Sequence, residues 1–305
     1  MAVLTDVYEL NNGITIPKIG FGTWQIPDGK IAYESTLTAL KEGYRHIDTA
    51  MAYGNEASVG RAIRDFGIAR ENVFVTSKLP PAIKGHDEAL TAFNETLSAL
   101  NIGYVDLYLI HAPWPSNEIG QNFDTENIAT WEALEEIYKS GKARAIGVSN
   151  FTVHDLKNLL KHTDVVPAVN QIQYYVGFTE PKITTFTNAH NILIEAYSPL
   201  ATGDVLHSTE LTQLANNYNV TVPQLALRYC IQTGVLPLPK ATSQAHIAEN
   251  KALDFLISTI DMERLNVCQD TAPSHFHNAT QGYPYSYNSL QCRMAPLRYN
   301  LGKPI

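Results

Sequence analysis

Apolar runs of strand length alternate with amphipathic stretches along most of the chain, and this alternation predicts repeated βα units. Strands are expected at 44–48, 73–79, 105–110, 143–149, 169–173, 193–196 and 235–237. Helices are expected between them at 31–42, 57–66, 88–100, 128–140, 153–162, 182–189 and 209–217, with two more at 223–232 and 243–255. Strands such as Val105-Asp-Leu-Tyr-Leu-Ile110 are apolar nearly throughout, as expected where helices cover a parallel sheet. Eight such units close into a (β/α)8 TIM barrel. The main rival, an open doubly wound sheet, normally carries a Gly-x-Gly-x-x-Gly turn after its first strand. Here Gly20-Phe-Gly22-Thr-Trp-Gln25 lacks the third glycine.

Local punctuation agrees. Thr152 with Asp155 resembles a capping box, Thr221-Val-Pro223 puts a capping hydroxyl before a first-turn proline, and Gly234 stops that helix. Near the start, Asn12-Gly13 between two apolar runs is a type I′ hairpin signal, and such a hairpin would cap the barrel bottom.

Length fits one barrel over 1–282 of the 305 residues. Residues 283–305 have no helical or strand period and no acidic side chain, and are read as an irregular appended tail. The net charge of −8 gives no basic footprint for nucleic acid, and no apolar run is long enough to span a bilayer. Cys230, Cys268 and Cys292 lack paired spacing, and the N-terminus lacks signal-peptide order. A cytoplasmic protein with neither disulfides nor a metal site is the expectation. With no coiled-coil seam, a monomer is expected.

Chemistry in a barrel sits at the carboxyl ends of strands. There the chain offers Asp48 and Tyr53 after the second strand, Lys78 on the third and His111 after the fourth. Singly, each has an ordinary reading: a rim charge, a packed ring, a structural imidazole. Their joint position on adjacent strands of one face is what singles them out.

The chain resembles the aldo-keto reductases, in a bacterial-type, short-loop form, from about residue 10 to 282. The stretches that carry the resemblance are Ile19-Gly-Phe-Gly-Thr-Trp24, Gly43-Tyr-Arg-His-Ile-Asp48-Thr-Ala-Met-Ala-Tyr53, Thr76-Ser-Lys78, Asp106-Leu-Tyr-Leu-Ile-His111, Ile146-Gly-Val-Ser-Asn150, Asn170-Gln171, Ala196-Tyr197-Ser-Pro-Leu200 and Leu238-Pro-Lys240. It implies a catalytic tetrad of Asp48, Tyr53, Lys78 and His111. Carbonyl reduction needs a proton for the developing alkoxide, and a phenol with an ordinary pKa near ~10 is protonated at neutral pH. Lys78 is expected to lower that pKa, Asp48 to hold Lys78 charged, and His111 to fix the carbonyl oxygen.

The resemblance also implies a nicotinamide cofactor, with Tyr197 stacked on the ring and Ser149, Asn150 and Gln171 on the carboxamide, so that hydride leaves the pro-R face. Gly22, Thr23, Ser198 and Leu200 fall at the cofactor's passage, and Lys240, Ala241, Thr242, His246, Glu249 and Asn250 at its adenosine end. Two positions depart from the family pattern. Ala241 stands where a hydroxyl residue is usual, and His246 where arginine often clamps the 2′-phosphate. Lys240 keeps NADPH preferred, with NADH possible. Trp24, Trp114 and Phe276 are expected to wall a pocket for a small carbonyl substrate, although Ala112-Pro113 separates Trp114 from His111.

Three other readings compete. Lys78 could form an aldolase-type Schiff base, which leaves Tyr197, Asn150, Gln171 and Lys240 without a task. A cofactor-binding regulatory module like the potassium-channel β subunits could keep the whole tetrad. Metal-assisted hydrolysis lacks ligand spacing among His46, His86 and His111.

Overall fold

The computed structural model describes residues 3–271. Phe276, Cys292 and the tail expected at 283–305 lie outside them. After a 3-10 turn at Val3–Thr5 comes an antiparallel hairpin of β1 (Val7–Glu9) and β2 (Thr15–Pro17). The barrel strands follow: β3 (Phe21–Gly22), β4 (His46–Asp48), β5 (Phe74–Leu79), β6 (Val105–Ile110), β7 (Ala143–Ser149), β8 (Val169–Gln173), β9 (Leu193–Tyr197) and β10 (Leu236–Pro237). All seven neighbouring pairs, in sequence order, are parallel.

Two backbone bonds join the first and last barrel strands: Gly20 N–H to Pro237 O at 3.1 Å and Gly22 N–H to Pro239 O at 3.0 Å. Glycine is required at this seam. A Cβ on Gly20 would lie 2.5 Å from a Leu238 methyl carbon and 2.6 Å from His46 Nδ1. The expected barrel and its bottom hairpin are present. Leu10 and Ile16 from the hairpin pack with Phe74, Leu107, Val169 and Leu236 in an apolar plug.

The helices are α1 (Lys30–Lys41), α2 (Glu56–Phe66), α3 (His86–Leu100), α4 (Asp124–Lys139), α5 (Val153–His162), α6 (Pro181–Ala189), α7 (Thr209–Asn217), α8 (Val222–Gln232), α9 (Gln244–Lys251) and α10 (Thr259–Val267). Among the described residues no helix is long and apolar enough to cross a membrane. The capping box at Thr152 and Asp155 forms, and Thr221 makes a second with Gln224.

Two expectations need correction. The hairpin turn is not a two-residue type I′ turn, which needs positive φ at both central residues. Gly13 alone takes positive φ, its N–H bonds Leu10 O, and Leu10 N–H bonds Ile14 O, giving a longer loop. Second, the helix expected over 243–255 stops at Lys251. Gln224 and Arg228 on α8 donate to the carbonyls of Ala252 and Leu253, so the chain turns there. It re-enters a helix the hydrophobic pattern did not suggest, α10, where the Ser258 side chain caps the Asp261 N–H.

Candidate active site

Alternation along the strands decides which side chains enter the barrel. Asp48 closes β4 and sits in register with Thr76, so Lys78, two residues further along β5, projects inward beside it. Tyr53 ends a short 3-10 turn just after β4, and His111 follows β6 with its N–H on Leu79 O.

These four residues converge. The fully buried Lys78 Nζ donates to both Asp48 carboxylate oxygens at 2.7 and 2.8 Å, to Thr49 O at 2.9 Å and to Tyr53 Oη at 3.2 Å. The Tyr53 and His111 rings meet edge to face, with centroids 5.6 Å apart. Because Tyr53 Oη accepts from the ammonium, its own proton is left to point elsewhere.

Burial drives the Tyr53 pKa above the ordinary phenol value; the Lys78 charge pulls it down, but burial and Asp48 outweigh that pull. The expected downward pull of Lys78 is present, and it moderates a rise set by burial and Asp48. For Lys78, burial works against the ammonium, yet Asp48 and Tyr53 more than offset it and its pKa rises. Burial and the Lys78 charge push His111 down to about 3, so it is a neutral imidazole at physiological pH.

A second group adjoins the first. Ser149 Oγ donates to Gln171 O at 2.8 Å, and Asn150 Nδ2 donates to His111 O at 3.0 Å and Ser149 Oγ at 3.1 Å. Tyr197 Oη donates to Asn150 Oδ1 at 2.7 Å. Gln171 Nε2 donates to Asp48 Oδ2 at 2.9 Å and to Glu195 Oε2 at 2.7 Å. A continuous chain of contacts therefore runs from Tyr53 through Lys78, Asp48 and Gln171 to Glu195.

Other expected site residues are placed differently. Gly22 forms the barrel seam. Thr23 is buried and spends its hydroxyl on Asp48 O at 3.0 Å. Ser198 takes positive φ just after β9, and Leu200 is half-buried beyond it. Lys240 and Thr242 are exposed after β10, whereas Ala241 is buried in the main apolar cluster. Ser243 caps α9 at the His246 N–H; His246 is exposed, Glu249 half-buried and Asn250 buried. Trp24 is 41% exposed and Trp114 6%, so they do not form two equivalent walls. The loop carrying Trp114 is pinned by Lys84 Nζ on Ala112 O at 2.7 Å and by Asn127 Nδ2 on Pro113 O at 2.9 Å.

Three site residues were not singled out from sequence: Glu195, Thr49 and Asn55. Asn55 donates to Thr23 O and Ile26 O and accepts from Thr49 Oγ1, bracing the turn that carries Tyr53. Glu195 had a signal, since it lies two residues before Tyr197 and so shares its face of β9.

Two buried acids carry a pH consequence. Burial raises Glu56 to about 7, and burial followed by Asp48 raises Glu195 to about 8, both from 4.5. A raised folded pKa adds stability below the unfolded value that is lost as pH climbs through the folded one. Glu195→Gln removes one such titration. Denaturant melts between about pH 5 and pH 8 should show wild type losing stability relative to the variant as pH rises. A gap constant across that range would mean Glu195 is already ionised.

The family model described as Aldo/keto reductase family matches residues 18–270. Glyoxal reductase of Bacillus subtilis (strain 168) is 41% identical over 264 residues, spanning 86% of this chain and 92% of that protein. The crystal structure of an aldo/keto reductase from Brucella melitensis superposes with a TM-score of 0.80 at 39% identity, covering 86% of this chain and 98% of that one. An aldo-keto reductase from Bombyx mori, solved in complex with NADP, gives a TM-score of 0.79 at 32% identity, over 87% and 93% of the two chains.

Proposed function

Because the chain belongs to the aldo/keto reductase family of oxidoreductases, we propose that it reduces small aldehydes and ketones to alcohols with NADPH and with Tyr53 as proton donor. One contact carries this reading: the Lys78 ammonium, held by Asp48, lies 3.2 Å from Tyr53 Oη. An ammonium at that distance stabilises the phenolate left when the proton goes to the substrate oxygen. His111, neutral and beside the Tyr53 ring, can donate a hydrogen bond to the same oxygen. The Schiff-base alternative needs a neutral amine, and the Asp48 contact holds Lys78 as the ammonium.

The residues fit a nicotinamide dinucleotide. Among the described residues no group donates to Gln171 Oε1, although both its N–H groups are engaged, so that oxygen remains for a carboxamide N–H. Ser149 and Asn150 lie beside it, and Tyr197 is tied to Asn150. Lys240 is exposed, with no ion pair among the described residues, and suits a phosphate. The cofactor, when bound, supplies hydride from the pro-R face of nicotinamide C4. The Bombyx mori relative's complex with NADP supports the nucleotide class. The relative named glyoxal reductase makes short dicarbonyls worth including among substrates. The net charge of −8 supports a protein acting on small molecules without nucleic acid; a cytoplasmic monomer completes the reading.

The test is NADPH and NADH oxidation with 4-nitrobenzaldehyde, short aldehydes, ketones and dicarbonyls, using wild type and His246→Arg. Aldehyde-dependent NADPH oxidation is the expected result. NADPH binding without turnover would favour a regulatory module, and a borohydride-trapped adduct on Lys78 an aldolase. Histidine is mostly neutral at neutral pH, whereas arginine offers 2′-phosphate a charged fork. His246→Arg should tighten NADPH by roughly tenfold and leave NADH nearly unchanged. Equal tightening of both would remove His246 from the phosphate site.

A further inference from the structure

We propose that Glu195 is a positioning residue: it takes the second N–H of Gln171, so that the amide is locked at two points and presents only its oxygen to a bound nicotinamide. The inference rests on the reductase reading for the identity of the ligand, but not for the anchoring itself.

An amide nitrogen has two N–H donors. In Gln171 one reaches Asp48 Oδ2 at 2.9 Å and the other Glu195 Oε2 at 2.7 Å. Flipping the amide would set its oxygen against the ionised Asp48 carboxylate, which repels it. Held by Asp48 alone, the group could still swing about its terminal torsion, which is soft. A second anchor fixes its plane. Glu195 and Gln171 face each other in strand register, so the anchor is built into the barrel wall.

Two carboxyl groups can share one amide because they differ in charge. Asp48 is neutralised by Lys78 at 2.7 Å. Glu195 has no such partner: His46 Nε2 is 4.0 Å away, and burial keeps that imidazole neutral. The ionisable groups facing it are Asp48 and His46 on β4, Lys78 on β5 and, beyond them, Tyr53. Burial and the Asp48 charge hold Glu195 up at about 8, so at neutral pH it keeps its proton and leaves Oε2 to accept. Its Oε1 is buried without a hydrogen-bond partner, so among the described residues the one side-chain hydrogen bond Glu195 makes is the one it accepts from Gln171.

Two variants separate anchoring from bulk. Glu195→Gln keeps size and an acceptor oxygen; Glu195→Leu keeps only the bulk. Affinities are measured by fluorescence for NADPH, for oxidised cofactor against its 3-acetylpyridine analogue, and for adenosine 2′,5′-bisphosphate. The analogue has no carboxamide N–H to meet Gln171. Glu195→Gln should bind NADPH within about threefold of wild type. Glu195→Leu should weaken NADPH about tenfold, narrow the preference for nicotinamide over acetylpyridine, and leave the bisphosphate unchanged. In the cofactor-free protein, the Gln171 side-chain amide resonances should shift in Glu195→Leu and largely persist in Glu195→Gln. Unchanged NADPH affinity in Glu195→Leu, equal loss for NADPH and the bisphosphate, or unmoved amide resonances would each overturn the proposal. If wild type binds no NADPH, the reductase reading fails by itself, and the cofactor-free resonances still decide whether Glu195 anchors Gln171.

Discussion

Tyr53→Phe lowers aldehyde turnover by at least about 10²-fold, and by as much as about 10⁴-fold, while NADPH still binds. The substitution removes one oxygen. The ring stays, and with it the edge-to-face contact with His111 at 5.6 Å between centroids. What disappears is the hydroxyl that accepts from Lys78 Nζ at 3.2 Å and carries the transferable proton. Lys78 keeps Asp48 and Thr49 O as partners, so the buried ammonium is not stranded and the fold should hold. Steady-state rates beside NADPH fluorescence titration separate the two effects. A variant within tenfold of wild-type turnover would remove Tyr53 as the proton donor.

The pH dependence follows from the same contacts. Reduction needs the phenol protonated, and the Tyr53 pKa is raised, so the rate should hold flat through neutrality and fall only in the alkaline range. His111, pushed down to about 3, contributes no limb near the ordinary histidine value. A loss of rate centred near about pH 6.5 would mean that His111 titrates in the working enzyme.

Much of the barrel was legible because its strands are short apolar runs separated by turn and cap residues. β6, β7, β8, α5 and α7 fall at the expected boundaries. β3 was harder, with two residues in the ladder, because its place is set by backbone bonds to Pro237 and Pro239 far along the chain. α10 was missed because its apolar residues do not follow a single stripe: Leu265 is buried while Ile260 is 73% and Val267 83% exposed. Convergence of Asp48, Tyr53, Lys78 and His111 could be anticipated from strand order. The direction of the Tyr53 shift could not, because it depends on how deeply the phenol is enclosed. Glu195 escaped for a similar reason. A glutamate in a strand gives no hint of its partner until Gln171, 24 residues earlier, is seen opposite it.

Lys78→Met should be the most damaging single change to the fold as well as to the chemistry. Methionine matches much of the lysine stem, but it leaves the Asp48 carboxylate buried with Gln171 Nε2 and no cation. Breaking a buried ion pair from one side costs about 3–5 kcal/mol, because the remaining charge is desolvated and uncompensated. Exchanging both partners for neutral groups avoids that penalty. Asp48→Asn combined with Lys78→Met should therefore recover most of the lost unfolding free energy, with the asparagine oxygen still able to accept from Gln171. Turnover should not recover. With no ammonium beside Tyr53, the phenolate formed on proton transfer loses its stabilising charge, a loss of roughly 10²–10³-fold by comparison with oxyanion-hole donors. Denaturant melts and turnover on wild type, both single variants and the double variant close the cycle. If the double variant regained activity along with stability, Lys78 would serve the fold alone, and the proton delivered by Tyr53 would need another source of electrostatic support.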